Sequence, residues 1–302
     1  MKQVILLLLL GVYVSTCFAS GIGYALSGGG ARGFAHVGIL KVLEEEGIQP
    51  DYIAGTSIGA IIGAFYALGY NAAEIESLSL NINWESIFDE RQSRNDLYIG
   101  QKRWAPFGNA EFEIDDAWKM QLPSSVYSGV NLNLELFRAF SIASKQRDFR
   151  SFPIPFAAIG TDLLNGDPKV FDQGSLMPAL RASMSIPSLL LPFAVDGKLY
   201  IDGGISQNLP IDLVKQMGAT NVIGFKVNSN LRKEEQLYNL ISILDQTINI
   251  GITRKLNEHI EYCDLLIEPE LIGYSANDFK RISSIIKIGE MYARDKDRKS
   301  VV

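Results

Sequence analysis

The stretch DYIAGTSIGAIIGAFYALG, residues 51–69, decides the fold. Its first apolar segment, Asp51–Ala54, is short enough for a buried strand, and its second, Ile58–Leu68, is long enough for a helix. Between them stands Gly55-Thr56-Ser57-Ile58-Gly59, whose two glycines permit a sharp turn. The stretch therefore predicts a strand-to-helix turn that exposes the Ser57 hydroxyl, the arrangement called a nucleophile elbow. The positive end of the following helix favours an oxyanion nearby.

A second glycine-rich turn, Gly28-Gly29-Gly30-Ala31-Arg32-Gly33, lies upstream, between a predicted strand, Ile22–Ser27, and a predicted helix, Phe34–Glu46. Consecutive glycines let backbone N–H groups converge on an anion, either a phosphate or a developing oxyanion. The turn also fits the dinucleotide-binding pattern G-x-G-x-x-G, which expects an acidic residue at the end of the second strand. Asp51 begins that strand instead. We therefore favour an oxyanion site, with a dinucleotide site and a structural turn as alternatives.

The rest of the chain alternates predicted strands and helices, which favours an α/β layered fold. The predicted helices are Asn71–Leu80, Leu132–Ala143, Leu176–Met184, Ile211–Met217, Leu237–Glu258 and Phe279–Arg294. The predicted strands are Pro155–Thr161, Lys169–Asp172, Leu199–Asp202, Asn221–Val227 and Asp264–Glu268. Between residues 81 and 130 the pattern is weak, with hairpin strands expected around Asp96–Arg103 and Glu111–Asp115.

A nucleophilic serine needs a base, and the chain has only two histidines, His36 and His259. The apolar neighbours of His36 predict a buried structural histidine. The charged neighbours of His259, near the end of a long predicted helix, predict a surface position. The stronger candidate base is Asp202, in Tyr200-Ile201-Asp202-Gly203-Gly204, where an apolar strand delivers a carboxylate just before two glycines. An ordinary Asp-Gly turn is the alternative.

Four blocks in this order resemble the motifs of the patatin-like phospholipases: Gly28–Gly33, Gly55–Gly59, Ala182–Pro187 and Asp202–Gly204. The resemblance covers roughly residues 22–227, and within the family the chain looks most like exported bacterial members. It implies a three-layer α/β/α fold with a mainly parallel central sheet. It also implies a catalytic dyad of Ser57 and Asp202 that uses no metal and no cofactor.

The resemblance further implies that Gly28, Gly29 and Gly30 supply the oxyanion donors. Arg32 would help to fix that loop, and Ser183 and Pro187 would shape the wall of the site. The residues that support the motifs are Ala31, Arg32, Gly33, Gly55, Thr56, Gly59, Ser183, Pro187, Gly203 and Gly204.

The predicted function is that of a serine lipid acyl hydrolase, of phospholipase A or lysophospholipase type, acting through an acyl-enzyme. The alternatives are an esterase with a Ser-His-Asp triad and a non-catalytic lipid-binding module. The predicted partners are a phospholipid or other lipid ester and a membrane surface. A net charge of −6 argues against a nucleic-acid partner, because phosphate binding needs clustered basic charge. Two cysteines cannot make a disulfide scaffold or a Cys-rich zinc site.

The amino terminus predicts export, with a signal peptide at residues 1–19 and the patatin-like domain at residues 20–302. Lys2 precedes the apolar run Val4–Val14, and small residues follow it. The run is shorter than the ~20 residues of a membrane-spanning helix. A buried strand or helix is one alternative, and a lipid anchor at Cys17 is a weaker one.

All three tryptophans lie between residues 81 and 130, at Trp84, Trp104 and Trp118. Aromatic side chains favour membrane interfaces, so a mobile flap over the site is one hypothesis. A packing insertion is the other. The nearby basic residues suit either anionic lipid headgroups or a solvated face; they are Arg91, Arg94, Lys102 and Arg103.

Overall fold

A computed structural model describes residues 21–88, 113–114, 120–121, 125–228, 231, 233–237 and 240–300. The predicted leader, the segment Asp96–Arg103, Trp104 and Trp118 lie outside these ranges, so the predictions for them stay predictions.

The strands, numbered in chain order, are β1 Ile22–Leu26, β2 Tyr52–Thr56, β3 Glu113–Ile114, β4 Met120–Gln121, β5 Ser125–Tyr127, β6 Phe156–Asp162, β7 Pro168–Phe171, β8 Ser188–Leu190, β9 Phe193–Val195, β10 Lys198–Asp202, β11 Asn221–Phe225 and β12 Leu265–Ile267. The α-helices are α1 Ala35–Glu45, α2 Ile58–Ala67, α3 Ala72–Asn81, α4 Trp84–Phe88, α5 Val130–Phe140, α6 Leu176–Ser183, α7 Gly204–Gln207, α8 Ile211–Met217, α9 Leu240–His259 and α10 Ile282–Ser300. The predicted elements outside residues 81–130 are all present, with ends shifted by a few residues. The sequence pattern missed the short elements β8, β9 and α7.

The central sheet has the strand order β12-β11-β1-β2-β6-β10-β9, with β7 also paired to β6. The five strands from β12 to β6 are parallel, and β10, β9 and β7 are antiparallel to their neighbours. The predicted mainly parallel α/β sheet is therefore confirmed. Two two-stranded pairings, β3 with β4 and β5 with β8, stand apart from it.

Both faces of this sheet are covered, which gives three layers. Along β1 the side chains alternate between two cores, with Tyr24 and Leu26 in the larger one and Ala25 in the smaller one. Helices α1, α2 and α10 contribute to the larger core, and α8 contributes to the smaller one. Strands buried on both faces explain the continuous apolar runs that the sequence shows.

The sheet register brings the ends of three strands to one level. β1 and β2 run in parallel, so their carboxyl ends, each followed by a glycine-rich turn, lie side by side. Thr56 at the end of β2 is opposite Ile159 of β6, and Asp202 at the end of β10 is opposite Gly160 of the same strand. Side chains that are far apart in sequence therefore meet at this edge.

Candidate active site

The turn after β2 holds Ser57 in a strained backbone conformation. Ser57 has φ 56° and ψ −125° and stands immediately before α2. Positive φ in a non-glycine residue costs on the order of 1–3 kcal/mol and persists only where the surroundings enforce it. A Cβ on Gly55 would lie 2.5 Å from the Gly59 carbonyl oxygen, and one on Gly59 would lie 2.6 Å from the carbonyl oxygens of Leu26 and Ser27. Tight packing therefore requires both motif glycines.

Ser57 is buried, and its hydroxyl lies close enough to the carboxylate of Asp202 to lower the pKa of that group. The Gly204 N–H donates a hydrogen bond to Oδ1 of Asp202, with an N···O distance of 2.7 Å. Burial raises the pKa of Asp202 to about 6, and the interactions with Gly204 and Ser57 oppose the rise. In the described part of the chain no charged side chain contributes to this shift.

The backbone around Asp202 is fixed by hydrogen bonds. Its N–H donates to the carbonyl oxygen of Ser185 at 2.9 Å, and its carbonyl accepts from the Thr161 hydroxyl at 2.9 Å. The next N–H, of Gly203, donates to the carbonyl of Ser183 at 3.1 Å. These hydrogen bonds fix the backbone that carries the Asp202 side chain, and none of them uses a carboxylate oxygen.

Ser183 also contacts the elbow directly. Its Oγ accepts the N–H of Ser57 at 2.8 Å, and its side chain is fully buried. Thr56 makes a second link, because its hydroxyl donates to the carbonyl of Gln207 at 2.9 Å. Pro187 is half-buried and stands one residue before β8.

The glycine loop reaches the same place from β1. The N–H of Gly28 donates to Oδ1 of Asn208 at 3.1 Å. Gly30 has φ 58°, and a Cβ there would lie 2.4 Å from the carbonyl oxygen of Ala276. That same carbonyl accepts the N–H of Ala31 at 2.8 Å. The loop is thus clamped between two segments that are distant in sequence.

Two further loop residues face inward. A Cβ on Gly33 would lie 2.1 Å from a side-chain carbon of Ile58, so glycine allows the loop to pack closely on α2. Arg32 is buried, which lowers the pKa of its guanidinium, and among the described residues its Nε has no hydrogen-bond partner.

The patatin-like phospholipase family model matches residues 24–215, well over half of the chain. The chain belongs to the patatin-like phospholipase family. The matched range contains all four motif blocks, so the resemblance found in the sequence is confirmed at the level of the family.

The curated patatin-like relatives are much longer than this chain. Patatin-like phospholipase domain-containing protein 7 of Mus musculus is 29% identical over 303 residues, which cover 90% of this chain and 20% of that protein. Patatin-like phospholipase domain-containing protein 6 of Homo sapiens is 27% identical, with the same coverages. Lysophospholipase NTE1 of Candida albicans is 25% identical, and the match covers 91% of this chain and 20% of that protein. This chain spans about a fifth of the length of these relatives.

Two solved structures are also similar to the patatin-like chain. VipD from Legionella pneumophila has a TM-score of 0.46 and 12% identity, covering 91% of this chain and 66% of its own. ExoU, in complex with SpcU from Pseudomonas aeruginosa, has a TM-score of 0.43 and 17% identity. The match covers 93% of this chain and 52% of the solved chain.

His36 has the role expected of a structural histidine in this patatin-like chain. It is fully buried, its Nε2 lies 2.9 Å from the carbonyl oxygen of Ser27, and its ring lies 5.9 Å from that of Phe225. Burial lowers its pKa to about 4. His259 is the last residue of α9. The carboxylate that meets Ser57 belongs to Asp202.

Asn208 and Thr161 contact the motif residues but were missed in the sequence. Asn208 follows the Asp-Gly-Gly block by a few residues, and Thr161 lies in β6, with no local pattern to mark either one. Asn208 also lines a cavity of about 290 Å³, together with residues that include Ser206, Asp212 and Lys255. Neither Ser57 nor Asp202 lines it.

The described residues hold no group of three or more His, Cys, Asp or Glu side chains suited to a metal ion. Over the same ranges, no helix combines the length and the apolar character needed to cross a bilayer.

Proposed function

We propose that this chain is a serine lipid acyl hydrolase of phospholipase A or lysophospholipase type, with Ser57 as nucleophile and Asp202 as general base. One observation carries the proposal: the buried Ser57 hydroxyl, on its strained turn, lies beside the carboxylate of Asp202, whose pKa is about 6. A hydroxyl held against a base is what nucleophilic catalysis requires. A general base works best when its pKa is close to the working pH, and a carboxylate near 6 meets that condition far better than one near 4.

In the first half of the proposed reaction, Oγ of Ser57 attacks the ester carbonyl carbon while Asp202 takes the hydroxyl proton. The carbonyl oxygen becomes an oxyanion, which needs hydrogen-bond donors. Not all three amides of the glycine loop are free to donate to it. Because the Gly28 N–H is donated to Asn208, we assign the amides of Gly29 and Gly30 as donors.

In the second half, collapse of the tetrahedral intermediate breaks the ester C–O bond, and the leaving alcohol takes the proton from Asp202. The acyl group remains on Ser57. Water then attacks the acyl carbon while Asp202 takes its proton, and the fatty acid leaves as Ser57 recovers a proton. Both halves use one base and the same oxyanion donors.

Lipid esters are the proposed substrates, because the family is that of patatin-like phospholipases and one relative is named a lysophospholipase. A membrane surface is the proposed partner, since such esters reside there. Export remains a proposal that rests only on the sequence of residues 1–19.

The test is covalent labelling of Ser57 by a fluorophosphonate, followed by turnover of phospholipids and lysophospholipids read by mass spectrometry. We expect labelling of the wild-type chain, none in Ser57→Ala, and a large loss of turnover in Asp202→Asn. Lipid binding without labelling in folded protein would favour a binding module. Full activity in Asp202→Asn would contradict the dyad, and loss confined to a well-folded His36→Ala would favour a Ser-His-Asp esterase.

A further inference from the structure

The Asn208 side chain connects the glycine loop to the segment that follows the Asp202–Gly204 block. Its Oδ1 accepts the N–H of Gly28 at 3.1 Å, across 180 positions of chain, and its side chain is buried. An N–H donor identifies the atom that faces it as the amide oxygen. The first residue of the glycine loop is therefore attached to the segment that follows Asp202.

The position of this oxygen accounts for two glycines in separate motifs. A Cβ on Gly28 would lie 2.8 Å from Oδ1 of Asn208, and a Cβ on Gly204 would lie 3.0 Å from the same atom. Contacts this short are essentially absent or very tight for real Cβ atoms. Glycine at both positions makes room for one amide oxygen between the two loops.

The same distances put this oxygen beside both reacting side chains. The Cβ position of Gly28 is also 3.1 Å from Cβ of Ser57, and that of Gly204 is 2.9 Å from Oδ1 of Asp202. Oδ1 of Asn208 therefore lies at most about 6 Å from each of these two atoms.

The backbone that carries Asn208 is held independently. The preceding residue, Gln207, donates its N–H to the carbonyl of Gly203 at 2.8 Å and accepts the Thr56 hydroxyl at 2.9 Å. Asn208 thus extends from a segment fixed to both the elbow and the turn after Asp202. A single amide oxygen on this segment can set the distance between the glycine loop and the base.

We propose that Asn208 is a positioning residue of the oxyanion site: it accepts the Gly28 N–H, fixes the glycine loop relative to Ser57 and Asp202, and so orients the Gly29 and Gly30 amides toward the substrate oxygen. This inference rests on the proposed hydrolase function. Asn208 does not touch the substrate, and it acts through the loop.

A neutral acceptor is required here for an electrostatic reason. A carboxylate at position 208 would also accept the Gly28 N–H, but it would add a negative charge a few ångströms from Asp202 and from the place where the oxyanion forms. Like charges at this distance raise the pKa of the base and oppose the transition state. An amide supplies the hydrogen bond without the charge.

The experiment compares Asn208→Ala and Asn208→Asp in the full chain, with Asn81→Ala and Asn81→Asp as controls. Asn81 is exposed at the end of α3, and its side chain bonds only within that helix in the contacts observed. The readouts are the rate of Ser57 labelling by a fluorophosphonate, kcat and KM for a lysophospholipid, the pH–rate profile, and thermal unfolding.

We expect Asn208→Ala to lower kcat and the labelling rate by about 10–100-fold with little change in KM. Losing one oxyanion donor outright costs about 100–1,000-fold, and misalignment of the loop should cost less. In Asn208→Asp, which retains an acceptor for the Gly28 N–H, we expect a lower kcat and an acid limb of the pH–rate profile moved to higher pH. The Asn81 variants should match the wild type.

Wild-type kcat and labelling in folded Asn208→Ala would overturn the inference, as would a loss confined to KM. If Asn208→Ala does not fold, Asn208→Asp decides: a folded variant with the wild-type rate and pH profile overturns the inference. A wild-type chain that neither labels nor turns over any ester would instead overturn the proposed function itself.

Discussion

The backbone N–H of Ser57 donates a hydrogen bond of 2.8 Å to Oγ of Ser183, which is fully buried. The carbonyl of Ser183 accepts the N–H of Gly203 at 3.1 Å. One residue at the end of α6 therefore holds the turn at Ser57 with its side chain and the turn after Asp202 with its backbone. This relationship makes the separation of Ser57 and Asp202 depend on a residue that needs no chemical role.

Replacement of Ser183 by alanine should therefore loosen the elbow. The Ser57 N–H would lose its buried acceptor, which costs about 1–3 kcal/mol of unfolding free energy. The labelling rate of Ser57 should fall as well, because the backbone conformation at φ 56° is no longer held from that side. Urea unfolding and fluorophosphonate labelling measure the two effects. Ser144→Ala, at an exposed serine, is the control, and equal stability in the two variants would contradict the expectation.

The activity should follow the ionisation of Asp202. The base must be deprotonated to accept the Ser57 proton, so kcat/KM should rise with pH up to a pKa of about 6 and level off above it. Below that pKa the rate should fall about tenfold per pH unit. The measurement is a pH–rate profile with a soluble acyl ester. A profile that stays flat down to pH 4 would exclude Asp202 as the base.

Asp202 should also lower stability at neutral pH. Its pKa is about 6 in the fold and 3.8 as a reference, so the folded state binds the proton more tightly, and stability falls as pH rises from about 4 to 6. The Asp202→Asn variant removes this cost, so we expect it to be more stable than the wild type at pH 8 by at most about 3 kcal/mol. The gain should shrink toward pH 4.

The matched control for that measurement is Asp196→Asn. Asp196 lies in an exposed turn with φ 50°, a conformation that asparagine also tolerates. Chemical unfolding at pH 4 and pH 8 should show no gain in this variant. If Asp202→Asn is less stable than the wild type at pH 8, burial does not govern the pKa of Asp202 in the wild type.

His36 should make the folding stability depend on pH in the opposite direction. Its pKa is about 4 in the fold and 6.5 as a reference, so the unfolded chain binds protons first. Stability should fall as pH drops from about 6.5 to 4, by at most about 3.5 kcal/mol. In His36→Gln this part of the slope should disappear, while Ser57 labelling of the folded protein persists. A retained slope would mean that other groups cause acid unfolding.

Gly59 should not tolerate a side chain, because its Cβ would lie 2.6 Å from two backbone carbonyl oxygens. We expect Gly59→Ala to lower the unfolding free energy by several kcal/mol or to prevent folding. Gly251→Ala is the matched control, since Gly251 is an exposed helical glycine in α9 with nothing within 4 Å of its Cβ position. That variant should gain about 0.5–1 kcal/mol. Similar melting temperatures for both variants would contradict the packing argument.

Local patterns predicted most of the fold. The apolar segments on either side of Gly55-Thr56-Ser57-Ile58-Gly59 have the lengths of β2 and α2, and the alternation of strands and helices gave the parallel α/β sheet. The short strands β8 and β9 escaped prediction because three residues carry no periodicity. The pairing of β8 is decided by a strand far away in sequence, because Leu190 is opposite Tyr127 of β5. The strand β9 instead pairs with the next strand, β10, across a tight turn.

Some residues of the candidate site could be identified from the sequence and others could not. Glycine spacing marks a turn locally, so Gly28–Gly30 and the surroundings of Ser57 could be identified from the chain alone. Asn208 and Thr161 could not, because their side-chain hydrogen bonds reach residues that are distant in sequence. The assignment of Gly28 as an oxyanion donor shows the same limit, since its N–H is donated to a side chain 180 positions away.

By itself, the sequence determined where the backbone must turn and which residues bring nucleophilic and acidic groups to those turns, because turn geometry depends on a few adjacent residues. Only the tertiary structure decided that Asp202, rather than His36, meets Ser57, and that Ser183 and Asn208 hold the turns together. Strand order and register bring these residues to one level of the sheet. Burial there raises the pKa of Asp202 to about 6, a property that no local stretch of sequence contains.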